Sequence, residues 1–179
     1  IGSNQGLYTI CAAKNKFCSA VYSFEPINST YSLLSENVSI NKTSNKCYLF
    51  KKAISDQAGK FLMSKDKIHS GAASLRKLDK KNLNKKEKIE TINHKNLNNI
   101  IKNENNSQII LKVDVEGFEE VVFNTLIKSK FFNEITTIFY EVDEKWVEPE
   151  LLKNILKGEG FNKFIKKGNG SHYDIFAKR

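Results

Sequence analysis

Four short stretches of this 179-residue chain carry side chains able to do chemistry. The first is Gly2-Ser3-Asn4-Gln5-Gly6, directly ahead of an amphipathic stretch. Glycines there let the backbone approach a ligand closely, and a helix opening behind them offers free N–H groups and the positive end of its dipole. The second is Glu25 in Phe24-Glu25-Pro26, which closes the next apolar run 19 positions after Gly6. In nucleoside-binding α/β folds an acidic residue about 20 positions past the glycine turn meets the ribose hydroxyls. The pair therefore points to a nucleoside cofactor; the plainer alternative is a structural turn and an exposed Glu. Asn4 stands where the dinucleotide fingerprint has its middle glycine, which makes NAD or FAD the weaker reading. No G-K-[ST] follows the glycines, which excludes a P-loop.

The third stretch is Lys112-Val113-Asp114-Val115-Glu116-Gly117, at the end of the most apolar run in the chain. Ligands of open α/β sheets bind outside the carboxyl ends of the strands, so Asp114 and Glu116 are expected to face the crevice. The alternative is that Asp114 caps the following helix and Glu116 is merely exposed. The fourth is Phe139-Tyr140-Glu141, another carboxylate at the same rim. His69 is a further candidate base, because unperturbed His titrates near neutral pH; its bland reading is a surface loop residue. A divalent metal held by Asp114 and Glu141 has no dense carboxylate cluster in the sequence behind it. His69, His94 and His172 are too scattered for a His-based metal site, so no metal is expected.

These residues need a scaffold, and the pattern supplies one. Strand-like apolar runs alternate with amphipathic stretches, the mark of an α/β domain with a mostly parallel sheet. Helices are expected over 7–16, from Asn28 or Ser29 to about Asn37, after Gly117, and over Leu151–Lys157. Strands are expected over 20–24, 47–54, Phe61–Met63, Ile109–Asp114 and Ile135–Val142. Phe161–Ile165 and Tyr173–Phe176 flank Gly168-Asn169-Gly170, the signal of an antiparallel hairpin. Residues 77–106 are rich in Lys and Asn and read as a solvated insertion in a single domain, with helical pieces around Leu78–Leu83 and Leu97–Ile101.

Composition narrows the classes. No apolar run approaches the roughly 18 residues of a membrane span. Cys11, Cys18 and Cys47 form no CxxC pair and read as reduced thiols of a cytoplasmic protein. The net charge of +9 raises the question of nucleic acid. Yet Arg occurs only at Arg76 and Arg179, and Arg is the usual reader of base edges, so nucleic acid is an unlikely partner on this footprint.

Taken in order, G-S-N-Q-G, F-E-P, Ala53–Asp56, Ser70–Leu75, Leu111–Glu119 and Phe139–Glu141 resemble the FkbM family of S-adenosylmethionine-dependent methyltransferases. The resemblance implies a Rossmann-like class I methyltransferase fold, a mostly parallel sheet closed by an antiparallel strand. It implies S-adenosylmethionine as cofactor and a hydroxyl of a small-molecule or sugar-type compound as methyl acceptor. It also implies that Gly2, Ser3, Asn4 and Gly6 line the methionine part of the cofactor. Glu25 would then bind the ribose, Ser55 or Asp56 would approach the adenine, and Asp114 and Glu116 would stand near the transferred methyl. The family carries a strand before its glycine motif, whereas this sequence starts at Ile1, so that first strand is expected to be missing here. Where the family shows a Leu-Asp pair, this chain reads Asn93-His94-Lys95-Asn96-Leu97. Two rival readings are a catalytically inactive cofactor-fold binding module and a nucleic-acid methyltransferase using the Lys-rich insertion.

Overall fold

Apolar side chains recur here at helix and strand spacing in turn; the first helix departs from its pattern, since Thr9 and Ala13 are buried while Leu7 is 71% exposed and Cys11 is exposed. A computed structural model describes residues 1–64, 86–103 and 107–179. His69, Ser70–Leu75 and the helical piece expected around Leu78–Leu83 lie outside the described residues. The chain forms two compact units, Ile1–Ala53 with Gly59–Thr91, and Ile54–Ala58 with Ile92–Arg179.

In the first unit, α1 (Leu7–Lys14) leads to β1 (Val21–Phe24), then α2 (Asn28–Ile40) and β2 (Cys47–Phe50). β1 and β2 are parallel, from Val21 opposite Cys47 to Phe24 opposite Phe50. Parallel neighbours need a crossover, and α2 is that crossover. Thr9 of α1 and Ser23 of β1 share a buried hydroxyl–hydroxyl bond of 2.8 Å. Leu34 and Val38 bury the inner face of α2. On the sheet, Tyr22 stacks on Tyr48 and Phe24 on Phe50, each pair with ring centroids 5.0 Å apart.

The sequence run 47–54 splits into β2 and a two-residue β3 (Ala53–Ile54), because Lys51 and Lys52 interrupt it. β4 (Gly59–Ser64) pairs antiparallel with β5 (Lys86–Ile92), and the sheet order is β3-β5-β4. Ile27, Ala53, Met63 and Ile89 form a buried apolar cluster.

In the second unit, α3 (His94–Ile100) precedes β6 (Ile109–Val113) and α4 (Glu119–Leu126). A turn of 3-10 helix (Phe132–Glu134), β7 (Ile135–Asp143), α5 (Pro149–Gly158), β8 (Lys163–Lys167) and β9 (His172–Lys178) complete it. The strand order is β6-β7-β9-β8. β6 and β7 are parallel, whereas β9 is antiparallel to both β7 and β8. Val122, Phe123 and Leu126 of α4 and Leu152 and Leu156 of α5 are buried. The Phe123 ring meets Tyr140 edge-on at 5.3 Å. β6 ends the strand order, and its Ile110 is 75% exposed.

The expected terminal hairpin is present as β8–β9, turned by Gly168 and Gly170, both at positive φ. Parallel pairing does not dominate. Among the described strands it joins β1 to β2 and β6 to β7, while the registers β4–β5, β7–β9 and β8–β9 are antiparallel. The solvated reading of 77–106 is corrected where the structure describes it: β5 and α3 bury Ile89, Ile92 and Leu97. Few apolar residues occur there, but they fall where a strand and a helix turn inward. No helix among the described residues is long and apolar enough to cross a membrane.

Candidate active site

The glycine turn is built from backbone. Gly2, Asn4 and Gly6 all hold left-handed φ angles, of 72°, 46° and 95°. Glycine adopts that region freely, and Asn is among the few side chains that tolerate it. Asn4 therefore satisfies the backbone demand that the dinucleotide fingerprint meets with glycine. The amides of Gly2 and Ser3 both donate to the Phe24 carbonyl at 3.0 Å, which moors the turn to the end of β1. Gly6 donates to the Ser3 carbonyl at 2.9 Å and then precedes α1 as its cap. A Cβ at Gly6 would meet the Leu34 side-chain methyl Cδ1 at 2.7 Å, so any other residue there would have to move that side chain as well as hold a φ of 95°.

Glu25 is 7% exposed and faces this turn. Its Oε2 accepts from the Asn4 amide and its Oε1 from the Ile27 amide, both at 3.0 Å. The structure thus brings Gly2, Ser3, Asn4, Gly6 and Glu25 together, as their spacing predicts. Glu25 does more than the sequence shows, because it also ties the turn to the residue that leads into α2. Ser55 and Asp56 belong to the other unit, where the buried Ser55 donates its hydroxyl to Asp56 Oδ1 at 3.0 Å.

The second group of residues is acidic. Parallel pairing of Val113 with Tyr140 puts the next residues, Asp114 and Glu141, side by side at the carboxyl ends of β6 and β7. Asp114, Glu116 and Glu141 each present an oxygen within 4.8 Å of the other two. The dense carboxylate cluster that the sequence lacks is therefore made by the fold. It comes with basic partners of its own: Lys112 Nζ lies 2.6 Å from Asp114 Oδ2, and His172 Nε2 lies 2.8 Å from Glu141 Oε1.

Glu116 sits at φ 53°, left-handed for a residue with a long side chain, next to Gly117 at 85°. The turn is held from α4 rather than by Asp114. The residue capping α4 is Phe118, and Glu119 Oε1 accepts from the amides of Val115 (3.1 Å) and Gly117 (3.2 Å). Glu119 is 2% exposed, and its Oε2 has no hydrogen-bond partner among the described residues. Burial pushes the Glu119 carboxyl up despite those backbone bonds.

Glu116 is pushed up to about 7, first by burial and then by the charges of Glu141, Asp114 and Glu119, with His172 pulling the other way. Glu141 is raised by burial and by Asp114, against the pull of its bond to His172. His172 is raised in turn by that bond. A carboxylate that exchanges its proton near neutral pH is suited to general-base work.

Sequence reasoning selected Asp114 and Glu116 and placed Glu141 at the same rim. It passed over Glu119, Lys112 and His172. The signal for Glu119 is an acid in the first turn of a helix, reaching back over a glycine turn. His172 carries no such signal: the register of β9 with β7 sets it opposite Asp143 and therefore near Glu141. His69 lies outside the described residues.

A family model for the methyltransferase FkbM domain matches residues 1–163. Among solved structures, a crystal structure from Clostridium thermocellum, named there as a candidate rRNA-methylase, aligns with a TM-score of 0.55. The match covers 98% of this chain and 84% of that one at 13% identity, a likeness of fold alone. No curated protein matches the sequence.

Proposed function

The chain belongs to the methyltransferase FkbM domain family, and from that premise we propose that it is an S-adenosylmethionine-dependent O-methyltransferase acting on a small-molecule or sugar-type hydroxyl. The observation that carries the reading is Glu116, a carboxylate poised near neutral pH among Asp114 and Glu141 at the carboxyl end of β6. A hydroxyl is a weak nucleophile until a nearby group takes its proton, and Glu116 is the group for that step.

When bound, S-adenosylmethionine supplies a methyl group activated by its sulfonium. The residues at the glycine turn suit such a cofactor. Gly2, Ser3, Asn4 and Gly6 present mostly backbone, and Glu25 offers a carboxylate to a ribose diol. Ser55 and Asp56 are assigned to the adenine side. The sulfonium would give up its methyl and leave as a neutral thioether; on the protein side Glu116 would take the proton of the acceptor hydroxyl, and Asp114, fixed by Lys112, would orient that hydroxyl. Most of the catalysis is positioning. Residues 1–179 form a single methyltransferase domain on this reading, and the three free cysteines favour a reducing, cytoplasmic setting.

A cycle of protein and cofactor variants tests the cofactor assignment. By calorimetry, Glu25→Ala is expected to weaken S-adenosylmethionine by about 1.5–3 kcal/mol, as for lost hydrogen bonds to a charged group. An analogue without the ribose 2′-hydroxyl should bind wild type more weakly, yet lose little further in the variant, because the two changes remove one interaction. Fully additive losses would break the link between Glu25 and ribose. A second reading, methylation of RNA, has the net charge of +9 in its favour.

A further inference from the structure

Tyr140 is 1% exposed, yet its hydroxyl makes no hydrogen bond among the described residues. Buried hydroxyls are normally paired, and one left without a partner costs stability. Tyr140 lines a cavity of about 220 Å³ between α5 and the sheet of the second unit. Strand register builds its floor: Tyr140 stands opposite Ile175, and Ile175 opposite Lys166, so one row of side chains crosses β7, β9 and β8 on a single face. Phe164 and Tyr173, each two positions along a strand from that row, extend the same face. Pro149, Glu150 and Lys153 of α5 close the other side. Alternation along β7 turns Glu141 to the opposite face, so the cavity is separate from the three clustered carboxylates.

The charges lining it are Lys153, Lys166 and Glu150, positive on balance. Glu150 is 64% exposed and holds Lys153 at 2.9 Å. Lys166 Nζ lies 3.4 Å from the centre of the Tyr173 ring and donates to the Gly170 carbonyl at 3.2 Å. An ammonium carries three N–H groups, so each lysine has donors beyond these contacts. Tyr173 gives its own hydroxyl to Glu144. Burial, with Tyr173 and Glu150 nearby, raises the Tyr140 phenol, which therefore stays protonated and can donate. We propose that this cavity is a binding site for a small monocarboxylate with an apolar body. The carboxylate accepts from Tyr140, Lys153 and Lys166, and the body packs on Phe164 and Ile175. The volume lies below the roughly 300–1,000 Å³ of pockets for drug-sized ligands, which limits that body to a single ring or a short branched chain.

Benzoate is the probe, with benzyl alcohol as its uncharged counterpart. In the whole chain labelled with carbon-13 in the tyrosine rings, benzoate should shift the NMR signals of Tyr140 and Tyr173 saturably. Those of Tyr22 and Tyr48, which do not line the cavity, should stay in place. Each signal is assigned by its loss in the matching Tyr→Phe variant. Tyr140→Phe removes only the hydroxyl and should weaken benzoate by roughly ten-fold, read on Tyr173, as for a lost hydrogen bond to a charged group. Benzyl alcohol should bind wild type more weakly than benzoate by at least a similar factor. Without benzoate, Tyr140→Phe should melt no lower than wild type, because the hydroxyl has no partner to lose. No saturable shift at Tyr140, equal affinity for benzyl alcohol, or undiminished benzoate binding by Tyr140→Phe would each overturn the proposal. So would a lower melting temperature in that variant, which would assign the hydroxyl to the fold instead. None of these readouts depends on methyl transfer.

Discussion

Glu116 combines two unfavourable features, a left-handed backbone and a carboxylate that resists ionising. Its folded-state value of about 7 lies above the ordinary 4.5. A carboxyl raised on folding gives its full support to the fold below about pH 4.5 and loses it as pH rises through about 7. Glu116→Gln should therefore raise the melting temperature at pH 8.5 and leave it unchanged at pH 4. Because the group is half-exposed, solvent screening trims the gain to roughly 1 kcal/mol. Equal stabilisation at both pH values would show that the substitution relieves something other than charge. Asp114, Glu116 and Glu25 could be read from the sequence because each lies in a short motif beside a predicted strand end. His172 could not, since its meeting with Glu141 needs the register of β7 with β9. The bonds of Glu25 to Asn4 and Ile27 were hidden for a related reason: they depend on where a loop returns, which spacing does not encode.

Elements were legible wherever apolar residues recur densely. β6, β7, α4 and the terminal hairpin all fall close to their expected positions. β5 was not, because Lys and Glu dominate it and periodicity has little to act on; α3 was legible only as a helical piece around Leu97–Ile101, and it begins three residues earlier, at His94. What makes α3 a helix is local: Asn93 Oδ1 accepts from the amides of Lys95 (3.0 Å) and Asn96 (3.4 Å), while Asn96 Oδ1 accepts from the Asn93 amide at 3.2 Å. This reciprocal cap is the form usually written Ser-x-x-Glu, here carried by two asparagines. Asn93→Ala should cost about 1 kcal/mol in chemical denaturation, the usual value of such a cap. Leu97, fully buried, is the anchor, and Leu97→Ala should cost about 2–5 kcal/mol. A stretch that really were solvated would tolerate both changes within error.

At the level of the whole molecule the +9 charge is the property most easily mistaken for function. Almost all of it is Lys, which binds polyanions as a point charge without reading bases. Fluorescence anisotropy with single-stranded RNA should find binding at low salt that weakens steeply between about 50 and 200 mM, with no preference among sequences. Affinity that survives that salt, or a clear sequence preference, would favour RNA as the methyl acceptor over a small hydroxyl compound. The exposed Ile110 on β6, the last strand of its sheet, acts in the opposite sense. A strand at the end of its sheet's order with an exposed apolar side chain favours association between copies, which the net charge of +9 opposes. Salt removes the repulsion while leaving the edge untouched. The same ions that release the protein from a polyanion should therefore draw its own copies together, so that light scattering rises over the range in which RNA binding fades.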